Sequence, residues 1–124
     1  MSYSNRGSNL PGIVAGADLS AAQHRFASID ATGRAVLTAA GARIDAALEN
    51  NPALDVPASL MGPGSVAKIE ASAAIAVGAS VASAANGQGV TAAAGNYIAG
   101  VCVEAAGQAG ELCSVFLTFP GRQA

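Results

Sequence analysis

The chain repeats its own plan at a constant offset, and that echo restricts the folds open to it. Gly33, Val36, Gly41 and Ile44 recur 54 positions later as Gly87, Val90, Gly95 and Ile98. They lie within the parallel stretches Ala31-Thr-Gly-Arg-Ala-Val-Leu-Thr-Ala-Ala-Gly-Ala-Arg-Ile and Ala85-Asn-Gly-Gln-Gly-Val-Thr-Ala-Ala-Ala-Gly-Asn-Tyr-Ile. The matched positions are turn glycines, small alanines and β-branched residues, which build short strands and tight turns. No nucleophile, base or metal ligand is held in common, so the echo describes a scaffold: a mainly β domain of two related halves.

Strand and turn signals support that reading. Residues 23–29 and 34–37 flank Asp30-Ala-Thr-Gly33, whose aspartate and glycine suit a tight hairpin. In the second half residues 80–83 and 90–92 flank Asn86-Gly87, the strongest short hairpin signal in the chain. Residues 42–49 are open to two readings. Ile44 and Leu48 at i, i+4 among alanines suit a short helix, whereas the matching residues 97–103, with Gly100, Ile98, Val101 and Val103, favour a strand. The alanine-rich run 71–85 carries the same ambiguity.

The clearest element is a C-terminal hairpin of residues 98–104 and 111–119 around the loop 105–110, with Glu104 and Glu111 as solvated ends. Pairing symmetric about this loop sets Cys102 opposite Cys113, Val103 opposite Leu112 and Ile98 opposite Leu117. Two cysteines so placed could be bridged; cytoplasmic assembly favours small buried thiols instead. Pro120-Gly121 is expected to end the last strand.

The apolar supply is thin, because 31 alanines stand against 27 Ile, Leu, Val and Phe together and there is no Trp. At about 25 cal/mol per Å² buried, such a chain gains much of its stability from neighbours in an assembly. Charge is sparse at 11% with a net value of −2, which leaves no footprint for nucleic acid or anionic lipid. The run 71–85 is too short and too rich in Ala and Ser to span a membrane, so no membrane partner is expected. Residues 1–12 are polar, read as an N-terminal arm, and lack the apolar core of a signal peptide. Residues 13–124 form the single β-rich domain.

Few residues invite a chemical reading. His24 has Asp18 and Ser20 near it in sequence, on a turn and strand start that gives no catalytic constellation. Two cysteines and one distant histidine fall short of a zinc site. Glu104 and Glu111 flank a loop and do not make an acid/base pair. No glycine run forms a dinucleotide or phosphate loop. No enzyme activity, cofactor or metal is expected.

Laid out this way, the chain resembles the small Ala/Gly-rich head decoration, or cement, proteins of tailed bacteriophages. The likeness is carried by Ala17-Asp-Leu-Ser20, Asp30-Ala-Thr-Gly-Arg-Ala-Val36, Ala74-Ile-Ala-Val-Gly78 and Ala85-Asn-Gly87. Above all it rests on Gly95-Asn-Tyr-Ile-Ala-Gly-Val-Cys-Val-Glu-Ala-Ala106 leading to Gly110-Glu-Leu-Cys-Ser-Val-Phe-Leu117. The stretch Ala42-Arg-Ile-Asp-Ala-Ala-Leu48 departs from it by lacking a Gly-Val pair. The resemblance implies a small β-tulip or β-barrel-like domain, similar to lambda-type decoration proteins, to which the residues add an extended N-terminal arm and the alternative of one short helix. It also implies a homotrimer on the outer surface of the capsid, bound to the major capsid protein at three-fold and quasi-three-fold sites. Tyr3, Asn5, Arg6, Asn9, Leu10 and Pro11 are then the candidate capsid-contacting residues of the arm. Another virion surface module, such as a head-fibre base or adhesion domain, is the alternative.

Overall fold

The computed structural model describes residues 12–124; the six candidate arm residues, Tyr3 to Pro11, lie outside them. Among the described residues nine strands follow in order: β1 Phe26–Ile29, β2 Ala35–Leu37, β3 Ala46–Leu48, β4 Leu60–Met61, β5 Val66–Glu70, β6 Ser80–Ser83, β7 Gly89–Thr91, β8 Tyr97–Glu104 and β9 Leu112–Arg122. They form two antiparallel sheets, β2-β1-β3-β4 and β5-β9-β8-β6-β7. The domain is mainly β, as the sequence predicts, and neither sheet closes into a barrel. Its one helical element among the described residues is a 3-10 turn at Ala85–Gly87.

The echo is a duplication of architecture. Removing β5 from the second sheet leaves β7-β6-β8-β9, the order of the first sheet with each strand replaced by its later counterpart. The registers of the first three strands coincide as well, while β9 is shifted by one residue against β4, since Ala47↔Met61 is answered by Val101↔Phe116. Ala27↔Leu37, Ser28↔Val36 and Ile29↔Ala35 reappear 54 positions later as Val81↔Thr91, Ala82↔Val90 and Ser83↔Gly89. Phe26↔Ala47 reappears as Ser80↔Val101. Residues 42–49 therefore resolve in favour of the strand, with β3 answering the middle of β8.

Local chemistry sets the hairpins. In the first, Asp30 Oδ1 accepts from the Thr32 hydroxyl (2.7 Å), the Thr32 amide (2.9 Å) and the Arg34 amide (3.1 Å), while Gly33 turns back at φ +81°. The Thr32 hydroxyl first, and the Arg34 amide next, hold the Asp30 carboxyl below its usual pKa.

The first strand begins later than its sequence suggests, at Phe26 instead of residue 23, because His24 sits at φ +70° and cannot continue a strand. Its amide donates to Leu48 O as the amide of Gly78, at φ +88°, donates to Cys102 O. The two copies thus demand a left-handed residue at one position, and only the second supplies glycine. His24→Gly is expected to raise stability by roughly 0.5–1 kcal/mol, the left-handed strain of a side chain less the entropy of glycine. Urea denaturation checks it; a loss of stability would show that the imidazole does more than tolerate the turn.

The C-terminal hairpin corrects the predicted register. Cys102 pairs with Val115 and Cys113 with Ile69, so the cysteines are diagonal neighbours and do not face each other. The loop is not symmetric, because Ala106 bridges to Ile75 and the Gly110 amide donates to Ala71 O, which pulls the turn off centre. Both thiols are buried and free. Burial first, then the neighbouring Cys102, pushes the Cys113 thiol up to about 11. Stability from this group is full below the unfolded thiol pKa, near 9, and is lost as pH rises through the folded value. The last strand also runs past Pro120-Gly121 to Arg122. Ile98 pairs with Gly121 and Gly100 with Leu117, so Pro120 falls in a bulge where its missing N–H leaves no gap in the ladder.

Two cores follow from strand alternation. Ala27, Ala46, Leu48 and Leu60 face a small core of the first half, completed by Ala15, Leu19 and Ala22. Phe26, Ala47 and Met61, on the opposite face, pack with Ile69, Ile75, Val81, Val115 and Leu117 of the second half. The first sheet is therefore covered on both faces. Gly87 locks the junction: its amide donates to Thr38 O, and a Cβ there would collide with the Phe26 carbonyl oxygen.

Candidate interaction surface

The second sheet has an open face. Along β9, Cys113, Val115 and Leu117 point inward, at 1% exposure or less, and Leu112, Ser114 and Phe116 point outward. Pairing extends each outward residue into a row across the sheet. Phe116 lies between Val66 of β5 and Val101 of β8. Ser114 lies between Lys68 and Glu104, and its hydroxyl donates to Glu104 Oε1 at 3.0 Å. Leu112 lies beside Glu70. With Val103 at the bulge, Leu112 (43% exposed) and Phe116 (39%) supply half of the six large apolar side chains exposed among the described residues. Clustered exposed apolar residues rimmed by charge mark an interaction site more than scattered ones do.

The duplication shows what such a face is elsewhere used for. By place in the ladders, the counterparts of Phe116, Val101 and Ser80 in the first sheet are Met61, Ala47 and Phe26, all 5% exposed or less and packed against the second half. The charges around the open face differ in their commitments. Glu70 is tied to Arg25 (3.6 Å) and Gln88 (3.0 Å). Lys68 has no ionic partner among the described residues, and Glu104 is met by the Ser114 hydroxyl alone.

Among the described residues, one cavity lies apart from this face and another adjoins it. One of about 340 Å³ is lined by Arg43, Ile44, Tyr97, Ile98, Phe119 and Gly121. Arg43 there pairs with Asp45 at 3.3 Å, and the Arg122 guanidinium stands 4.8 Å from the centre of the Tyr97 ring. The other, of about 240 Å³, adjoins the β5 side of the open face through Val66 and Lys68 and also includes His24, Glu49 and Met61. The residues that invited a chemical reading are not assembled into a unit. Asp18 accepts the Ser20 amide at 3.1 Å, the His24 ring makes no hydrogen bond among the described residues, and Glu111 accepts the Gly107 amide at 2.7 Å. Among the described residues no three His, Cys, Asp or Glu side chains gather to hold a metal ion, and no helix is long and apolar enough to cross a membrane.

Sequence reasoning passed over the open face. Its signal was the stretch Leu112-Cys-Ser-Val-Phe-Leu117, which is apolar at both parities and so describes a strand with two faces to cover.

No protein-family model matches the chain, and no curated protein matches it. Among solved structures, it is similar to the head fiber gp8.5 N base in bacteriophage phi29, with a TM-score of 0.71 at 16% identity. The likeness covers 94% of this chain and 98% of that one, and at this identity it is a likeness of fold.

Proposed function

We propose that the chain is a non-enzymatic structural protein of a bacteriophage virion, seated on the outside of the head and bound to the major capsid protein. The observation that carries this reading is the fold shared with a phage head-fibre base over nearly the whole of both chains. The resemblance of the sequence to head decoration proteins points to the same location by a separate route. Between the two finer roles, the head-fibre base is supported by the structural likeness and the decoration role by the sequence motifs. The arm, with Tyr3, Asn5, Arg6, Asn9, Leu10 and Pro11, is the proposed capsid contact, able to add a strand to a capsid edge. Three copies around a three-fold junction would share the load by multivalency.

Purified heads of the encoding phage, analysed by quantitative mass spectrometry and cryo-EM, test the proposal. The chain is expected in the particle as an external feature over the capsid lattice. A copy number near that of the capsid subunit selects decoration, a small number at discrete sites selects a fibre base, and absence from purified particles refutes both. Removing residues 1–12 is expected to abolish binding to heads; full binding by the shortened chain refutes the role of the arm.

A further inference from the structure

We infer that the open face of the second sheet docks face to face on the same face of a second copy of this chain. The inference goes beyond the proposed function: it names a two-fold contact between copies, separate from the three-fold arrangement proposed above, and it can be tested on the free protein.

The first argument is what the face is. Phe116 and Val101 lie in an apolar row beside Val66, and their counterparts in the first sheet, Met61 and Ala47, are buried, so this part of the face has the composition of an interior layer left without its cover.

The second argument, charge complementarity, identifies the cover. Lys68, Ser114 and Glu104 occupy one row across β5, β9 and β8, with the cation on one side of β9 and the carboxylate on the other. Neighbouring strands are spaced by about 4.8 Å, so the two charged residues are separated by about twice that and do not pair within one chain. A two-fold axis lying between the faces and parallel to β9 exchanges the two sides while preserving height along the strand. It brings Lys68 of one copy over Glu104 of the other, twice, on either side of the facing Ser114 residues, and stacks the two Phe116 rows two residues further along the strand. Two half-used charges and one half-covered row are completed by one operation, the isologous closure usual in dimers.

Sedimentation equilibrium of the full chain, with circular dichroism to confirm folding, tests the inference. The wild type is expected to self-associate. Phe116→Asp, at an exposed position, is expected to leave the fold intact and abolish association. Lys68→Glu sets like charges opposite each other and is expected to weaken association at least tenfold, and adding Glu104→Lys is expected to restore it. A wild type that stays monomeric at several hundred micromolar overturns the inference. So does an assembly indifferent to Phe116→Asp, which would place self-association on another surface. If Phe116→Asp abolished only the attachment of a monomeric chain to heads, the occupant would be the capsid and the second copy would be ruled out. The virion reading stands or falls separately, on whether the chain is present in purified heads.

Discussion

Gly100→Ala is expected to lower stability by about 3 kcal/mol or more, a large share of the 5–15 kcal/mol typical of a domain. A Cβ at Gly100 would fall on the Phe116 carbonyl oxygen, 2.8 Å from Phe116 C and 3.1 Å from Leu117 Cα. All three are backbone atoms, so no rotamer change relieves the collision. The cause is the bulge in β9: between the partners Leu117 and Gly121, three residues stand opposite Ala99 alone. That arch brings the β9 backbone across the space where residue 100 would carry a side chain. The first half has no such arch, and the matching position is Ala46. Thermal unfolding should show a fall of roughly 10 °C. A shift of under a few degrees would mean that the ladder slides to make room and that the bulge is soft.

Phe26→Ala is expected to cost about 3–5 kcal/mol, the range for deleting a fully buried aromatic ring. Phe26 is 0% exposed and is the largest side chain that the first half sends into the core of the second. Alanine cannot be compensated there, since Ala47, Ala67, Ala71 and Ala99 already line much of the same cluster. Phe116→Ala serves as the control. Its ring lies on the open face and its removal is expected to change the stability of the monomer by less than about 1 kcal/mol. Equal losses from the two variants, measured in urea below the concentration of self-association, would contradict the assignment of one ring to the core and the other to the surface.

Much of the fold is legible in the residues because it depends on turn chemistry. Gly33, Gly41, Gly87 and Gly95, the glycines of the echo, all take positive φ. Asp30 and Asn86 lie in the two corresponding turns, so the hairpins they close appear where the sequence places them. The register of the last hairpin is not legible, because contacts from residues 71 and 75, about 30 to 40 positions upstream, displace its loop. Nor could Pro120 reveal that it sits in a bulge instead of at a strand end. The open face shows the deeper limit. Phe26 and Phe116 are both phenylalanines on strands, and which of them is covered depends on which half packs against which, a relation that no local pattern carries.

The position of β9 has a mechanical consequence. It is the longest strand and lies inside the second sheet, held by β5 along residues 112–116 and by β8 along residues 114–122. A pull transmitted through Arg122 along the strand acts at right angles to these hydrogen bonds, so both ladders resist together in shear. The two-residue edge strand β4, joined to its sheet only through β3, would instead peel away one pair at a time. A tether joined at the end of β9 would therefore pull against the strongest grain of the domain.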